Sequence, residues 1–203
     1  MDEQAAEDGA PAWIWKDPQL PHTLPFWVNF WGDVIYVATV RHPAETILSG
    51  AQMEGWEQGE PPFSAGLVYW QYCMLNVLTY TQSSARKIFV AYDQLLNNPE
   101  YECARLCRFL DQCAERSPDD FPRRLEAMQT HIDRGQHHYR YGKSLAEMPH
   151  TTREQRALYN FLRVKTLYPD EPYNPDDFAP YPGWREFLEC IDLIVSMSKA
   201  QAA

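Results

Sequence analysis

The sequence predicts an α/β fold, a parallel sheet flanked by helices, with a mainly helical C-terminal third. Three observations carry this. Val34 to Val40 is a near-continuous run of β-branched and aromatic residues, the composition of a strand buried on both faces of a parallel sheet. Lys87 to Tyr92 is a second run of that kind. Between them lies a segment with helical spacing, Ser64 to Thr81, too long for a hairpin. Strand–helix–strand units in series imply parallel pairing with right-handed crossovers.

Residues 1 to 11 are acidic, small and end in proline, and read as a disordered arm. Trp13 to Trp15 reads as a short strand that Lys16-Asp17-Pro18 leaves. From Pro21 to Trp31 a loop and short helix carry Phe26, Trp27, Phe30 and Trp31, mostly as packing. In the central strand Arg41 ends the apolar run, and Pro43 suits the first turn of a helix, where its missing N–H costs nothing. Ala44, Ile47, Leu48 and Ala51 then form a stripe, with Glu45, Ser49 and Gln52 off it.

Gly55 to Pro62 reads as a rim loop. The long helix after it puts Leu67, Trp70, Met74, Val77 and Leu78 on one core face. A helix opens near Pro99 and runs through Cys103, Leu106, Phe109 and Leu110. The chain turns at Ser117 to Pro122, and a short amphipathic segment leads to His131. Further helices are expected at Thr152 to Leu167 and Trp184 to Lys199, joined by a Pro/Asp/Tyr-rich connection. Residues 12–203 read as one domain, with an α/β core over 12–115 and the helical part over 116–203.

Composition narrows the function. With 45% hydrophobic and 23% charged residues the chain is expected to fold. A formal charge of −10 argues against nucleic acid or an anionic membrane as main partner. No stretch approaches the roughly 20 apolar residues of a membrane span, and no secretory signal opens the chain, so a cytoplasmic location is expected. Five cysteines without zinc-ligand spacing read as reduced and buried, Cys103 and Cys107 one helical turn apart beside a core face.

The junction at Arg41 is the best candidate site. A helix N-terminus at the carboxyl edge of an open sheet favours anions. A guanidinium there, with the Ser49 hydroxyl eight residues on, can converge on one phosphate.

Arg41-His42-Pro43 followed by Ser49 also resembles the 3′-phosphate-binding motif of sulfotransferases, enzymes that use 3′-phosphoadenosine 5′-phosphosulfate (PAPS). Trp13-Ile14-Trp15-Lys16-Asp17-Pro18 resembles the family's strand ending in a catalytic lysine, and Tyr92-Asp93-Gln94-Leu95-Leu96-Asn97-Asn98-Pro99 its segment with a tyrosine near the adenine. The three stand in the right order over about residues 12 to 115. The resemblance implies a P-loop-like sulfotransferase fold, PAPS as co-substrate with no metal, and a small-molecule, lipid or carbohydrate acceptor. It also implies that Arg41 and Ser49 hold the 3′-phosphate, that Tyr92 edges the adenine and that Lys16 reaches the bridging oxygen of the phosphosulfate.

The pattern is departed from in two places. The cytosolic branch has its catalytic histidine two residues after the lysine, where this chain has Pro18; His22 and Asp17 are nearby substitutes, and the base stays open. The glycine turn that cradles the 5′-phosphosulfate has no counterpart before Lys16. An N-terminally truncated sulfotransferase, weakly active and self-associating through an exposed sheet edge, is therefore expected. The alternative is a non-catalytic nucleotide- or anion-binding module that keeps only the 3′-phosphate site, with another P-loop-type phosphotransferase a third reading. His131, Arg134, His137, His138, Arg140 and Lys143 form a basic cluster in an acidic chain. Of these Arg134, His138 and Arg140 are expected nucleotide contacts; a zinc site is disfavoured because no cysteine or acid has ligand spacing to His137 and His138.

Overall fold

A computed structural model describes residues 14–53, 63–133, 135, 140–148 and 150–168. Its sheet is built on two parallel strands, β1 (Tyr36–Val40) and β2 (Lys87–Ala91), in register from Tyr36 opposite Lys87 to Val40 opposite Ala91. The connection between them carries α2 (Pro43–Met53) and α3 (Phe63–Thr81). Ahead of β1 lies α1 (Leu20–Trp27). After β2 come α4 (Tyr92–Asn97), α5 (Pro99–Cys113), α6 (Phe121–Thr130) and α7 (Arg153–Lys165), with short 3₁₀ turns at Pro118–Asp120 and Leu145–Glu147. The fold is α/β, as the strand and helix patterning predicts, with seven helices among the described residues.

Helix α3 is the organising element, because it is apolar nearly all round and a helix of that kind must be buried. Leu67, Trp70, Leu75, Val77 and Leu78 are buried along it, and so are Gln71 and Asn76. The Asn76 side-chain amide donates to the Pro21 carbonyl at 3.2 Å, which fixes α1 against α3. Gly66 lets α2 come close, since a Cβ there would stand 2.8 and 2.9 Å from Ile47 Cγ1 and Cγ2. The main core gathers Leu24, Val40, Trp70, Leu75, Phe89, Leu158 and Leu162 from α1, both strands, α3 and α7. A smaller cluster joins Ala44 of α2 and Leu67 of α3 to Leu145 and Met148.

Two expectations need correction. Trp13 to Trp15 does not form a strand over its described part: Ile14 and Trp15 are unpaired coil, and Ile14 is 93% exposed. Trp15 instead packs edge-on against Trp27 and Trp31, with ring centroids 4.8 and 5.1 Å away. Large aromatic surfaces nearby outcompete strand pairing in so short a run. Strand β1 is also not buried on both faces. Tyr36, Ala38 and Val40 turn to the core, whereas Val37 and Thr39 alternate outward and Val37 is 47% exposed. Among the described residues the two strands pair only with each other, and β2 is the one covered on both faces, with Ile88 to Ala91 all buried.

Helix α7 opens at a capping box in which Thr152 Oγ1 accepts the Gln155 N–H while Gln155 Oε1 accepts that of Thr152. Cys103 and Cys107 lie on the buried face of α5, and Cys73, Cys103, Cys107 and Cys113 are free thiols. No described helix is long and apolar enough to cross a membrane. The rim loop over Gly55 to Pro62, the connection from residue 169 and the helix expected at Trp184 to Lys199 lie outside the described residues.

Candidate functional site

Parallel register builds the site. Val40 and Ala91 are opposite each other, so the residues that leave the two strands, Arg41 and Tyr92, emerge side by side at the carboxyl edge. The Arg41 guanidinium carbon lies 4.7 Å from the centroid of the Tyr92 ring, within cation–π range. Arg41 Nε donates to Glu45 Oε2 at 3.3 Å, one turn along the chain, with both side chains largely covered. The guanidinium thus folds back along the first turn of α2. Glu45 and Ser49 are four residues apart on that helix and share the face toward which Arg41 folds. Ser49 is half-buried there, one turn beyond Glu45.

His42 sits beneath this turn. Its Nδ1 accepts the Ala44 N–H at 3.3 Å, which puts the ring proton of the neutral form on Nε2. Nε2 is buried without a hydrogen-bond partner. Burial pushes the His42 imidazole below its usual pKa, opposed more weakly by the Glu45 and Asp93 carboxylates. The ring stacks on Tyr141 at 5.3 Å with 25° between planes, and meets the Tyr159 ring edge-on at 5.3 Å. Tyr159 belongs to α7, whose Arg163 pairs with Asp93 of α4. Burial raises the pKa of the Tyr159 phenol.

The sequence-predicted residues therefore divide. Arg41 and Tyr92 are together, and Ser49 lies along the same helix. Lys16 is exposed in the coil before α1. His22 is exposed on α1, its ring 5.4 Å from that of Tyr72 and 6.2 Å from that of Tyr69 on α3. Of the basic cluster, His131 ends α6 with Nδ1 2.7 Å from the Ala127 carbonyl oxygen, and Arg140 and Lys143 are exposed. Arg134, His137 and His138 lie outside the described residues. No group of His, Cys, Asp and Glu among the described residues has the geometry to hold a metal ion.

Three contributors escape sequence reasoning: His42, Glu45 and Tyr141. For Glu45 a signal exists, an acid four residues after an arginine. For Tyr141 there is none, because it comes to Glu45 from 96 residues away. A shallow cavity of about 300 Å³ lies elsewhere, lined by Arg108, Asp111, Glu115, Arg116 and Phe121 where α5 meets α6.

Comparison with curated proteins and with solved structures gives no match. Residues 2–116 match the Sulfotransferase family. That span covers more than half of the 203 residues and contains the Arg41 turn, Ser49, Tyr92 and the whole β1–β2 pair. This chain belongs to the sulfotransferase family.

Proposed function

We propose that the chain binds PAPS, with the ribose 3′-phosphate on Arg41 and Ser49 and the adenine along Tyr92, and passes the sulfuryl group to a hydroxyl or amine acceptor. The observation that carries this reading is the guanidinium held 4.7 Å over the Tyr92 ring at the carboxyl edge of a parallel sheet. Ligands of open α/β folds bind at that edge. A planar guanidinium suits a phosphate because its fork meets two oxygens at once.

In the transfer, the acceptor oxygen or nitrogen forms a bond to sulfur while the bond from sulfur to the bridging oxygen breaks. The acceptor's proton leaves to a base, and adenosine 3′,5′-bisphosphate departs. Negative charge builds on the bridging oxygen, where a fixed cation lowers the barrier. Lys16 is the cation in this proposal and His22 the base. Arg134, His138 and Arg140 are proposed as further contacts to the nucleotide.

Calorimetric titration with adenosine 3′,5′-bisphosphate tests the reading. Arg41→Ala should weaken binding about a hundredfold, the scale of losing a charged bidentate contact of roughly 3 kcal/mol. Equal affinity in the two proteins would refute the site. Turnover of PAPS is the second measurement: binding without turnover would favour a nucleotide-binding module over a transferase.

A further inference from the structure

We infer that Glu45 is a positioning residue that ties the nucleotide site to the segment 140–148, so that filling the site and seating that segment are one event. The inference rests on the proposed 3′-phosphate contact of Arg41 for its ligand and on hydrogen-bond geometry alone for the tie.

The two oxygens of the Glu45 carboxylate serve different parts of the chain. Oε2 accepts from Arg41 Nε at 3.3 Å, and Oε1 accepts the backbone N–H of Tyr141 at 3.0 Å. The side chain is only 13% exposed, so both bonds form where water competes poorly. Two further contacts bring the same segment to the same turn. The Tyr141 ring stacks on His42, and Leu145 and Met148 pack with Ala44 and Leu67 in the smaller core cluster. The segment has an anchor of its own, since the single Thr151 hydroxyl proton is shared between the Leu145 and Met148 carbonyl oxygens, 3.1 and 3.0 Å from Oγ1. Residues 141 to 148 are thus strapped across the start of α2, with Arg41, His42, Ala44 and Glu45 underneath.

The chemistry of the tie follows from acceptor count. A carboxylate has two oxygens and can hold the guanidinium and the amide together. A glutamine has one acceptor oxygen, and its NH₂ would face a second donor. It can therefore keep one link only. Fixing the Arg41 side chain before the nucleotide arrives removes part of the ordering cost of binding. By linkage, a ligand that orders Arg41 also orders whatever Glu45 holds on its other side.

The experiment pairs amide hydrogen exchange at Tyr141, followed by NMR, with calorimetric titration of adenosine 3′,5′-bisphosphate. The proteins are the full chain, Glu45→Ala and the near-isosteric Glu45→Gln. Without ligand, Glu45→Ala should speed Tyr141 exchange at least about tenfold, the scale of losing a hydrogen bond to a charged acceptor. Unchanged exchange would overturn the tie whether or not nucleotide binds. With ligand, exchange at Tyr141 should slow in the native chain and stay fast in Glu45→Ala. Glu45→Gln should keep either Tyr141 protection or native affinity, but not both; retention of both would overturn the two-acceptor argument. A native chain that binds no nucleotide would instead refute the proposed site and with it the coupling, leaving the ligand-free comparison to decide the tie.

Discussion

Placing an alanine at Gly66 should destabilise the protein, although alanine is the better helix former. In an open helix the exchange gains about 1 kcal/mol. Here the added Cβ would stand 2.8 and 2.9 Å from Ile47 Cγ1 and Cγ2, with Cδ1 at 3.1 Å. Those are branch-point atoms of a β-branched side chain whose χ1 is nearly fixed in a helix, so Ile47 has little room to turn away. Relief must come from moving α2 off α3, and overpacking of that kind costs about 2–3 kcal/mol. The net loss is about 1–2 kcal/mol, roughly 2–8 °C in melting temperature for a chain of this size. Thermal unfolding of a four-member cycle measures it. In an Ile47→Ala background the clash is gone, and Gly66→Ala should then stabilise by about 1 kcal/mol. A rise in melting temperature on Gly66→Ala alone, or a coupling below about 0.5 kcal/mol, would refute the close-approach argument.

Other outcomes follow from burial. The folded state holds His42 with a depressed pKa, so as pH falls below about 6.5 the unfolded chain takes up the proton first. Its contribution to stability is complete above that pH and declines down to the lower folded pKa. His42→Phe should therefore lose less melting temperature between pH 7.5 and 5.5 than the native chain, and equal losses would contradict the assignment. Arg105 donates to Glu102 Oε2 from Nε at 3.0 Å and from Nη2 at 2.7 Å, and Nη2 also reaches the Phe89 carbonyl at 2.8 Å. Since Glu102 is only 3% exposed, Arg105→Leu should cost about 3–5 kcal/mol in urea unfolding. Adding Glu102→Gln should recover much of that loss, and a double variant as unstable as the single one would show that the stranded charge is not the cause.

What the sequence makes legible is local. The apolar character of Phe63–Thr81, the run Ile88 to Ala91 and the proline opening α2 are short-range signals, and each element forms where its pattern lies. The Arg41 turn is legible for the same reason, because a strand handing over to a helix is written in consecutive residues. The strand expected at Trp13 to Trp15 fails because three apolar residues fit several environments, and the indole surfaces of Trp27 and Trp31 offer a better one. The outward turn of Val37 depends on which neighbours cover β1, which a run of β-branched residues does not specify. At the site, the neighbourhood of Arg41 and Tyr92 needs the strand register, and the Tyr141–Glu45 bond needs the tertiary path of the chain. Periodicity encodes neither.

The five-residue ladder has a bearing on how this chain tolerates insertions. One residue added to or removed from either strand would bring a different side chain opposite Tyr92 and reverse which face each strand residue presents. The ladder itself sets no such limit on the number of residues outside the paired strands, as between α2 and α3. A residue added outside the strands leaves Val40 opposite Ala91, and the arginine still meets its tyrosine. Length variation among natural variants of this chain is accordingly expected in that connection and not in the two strands.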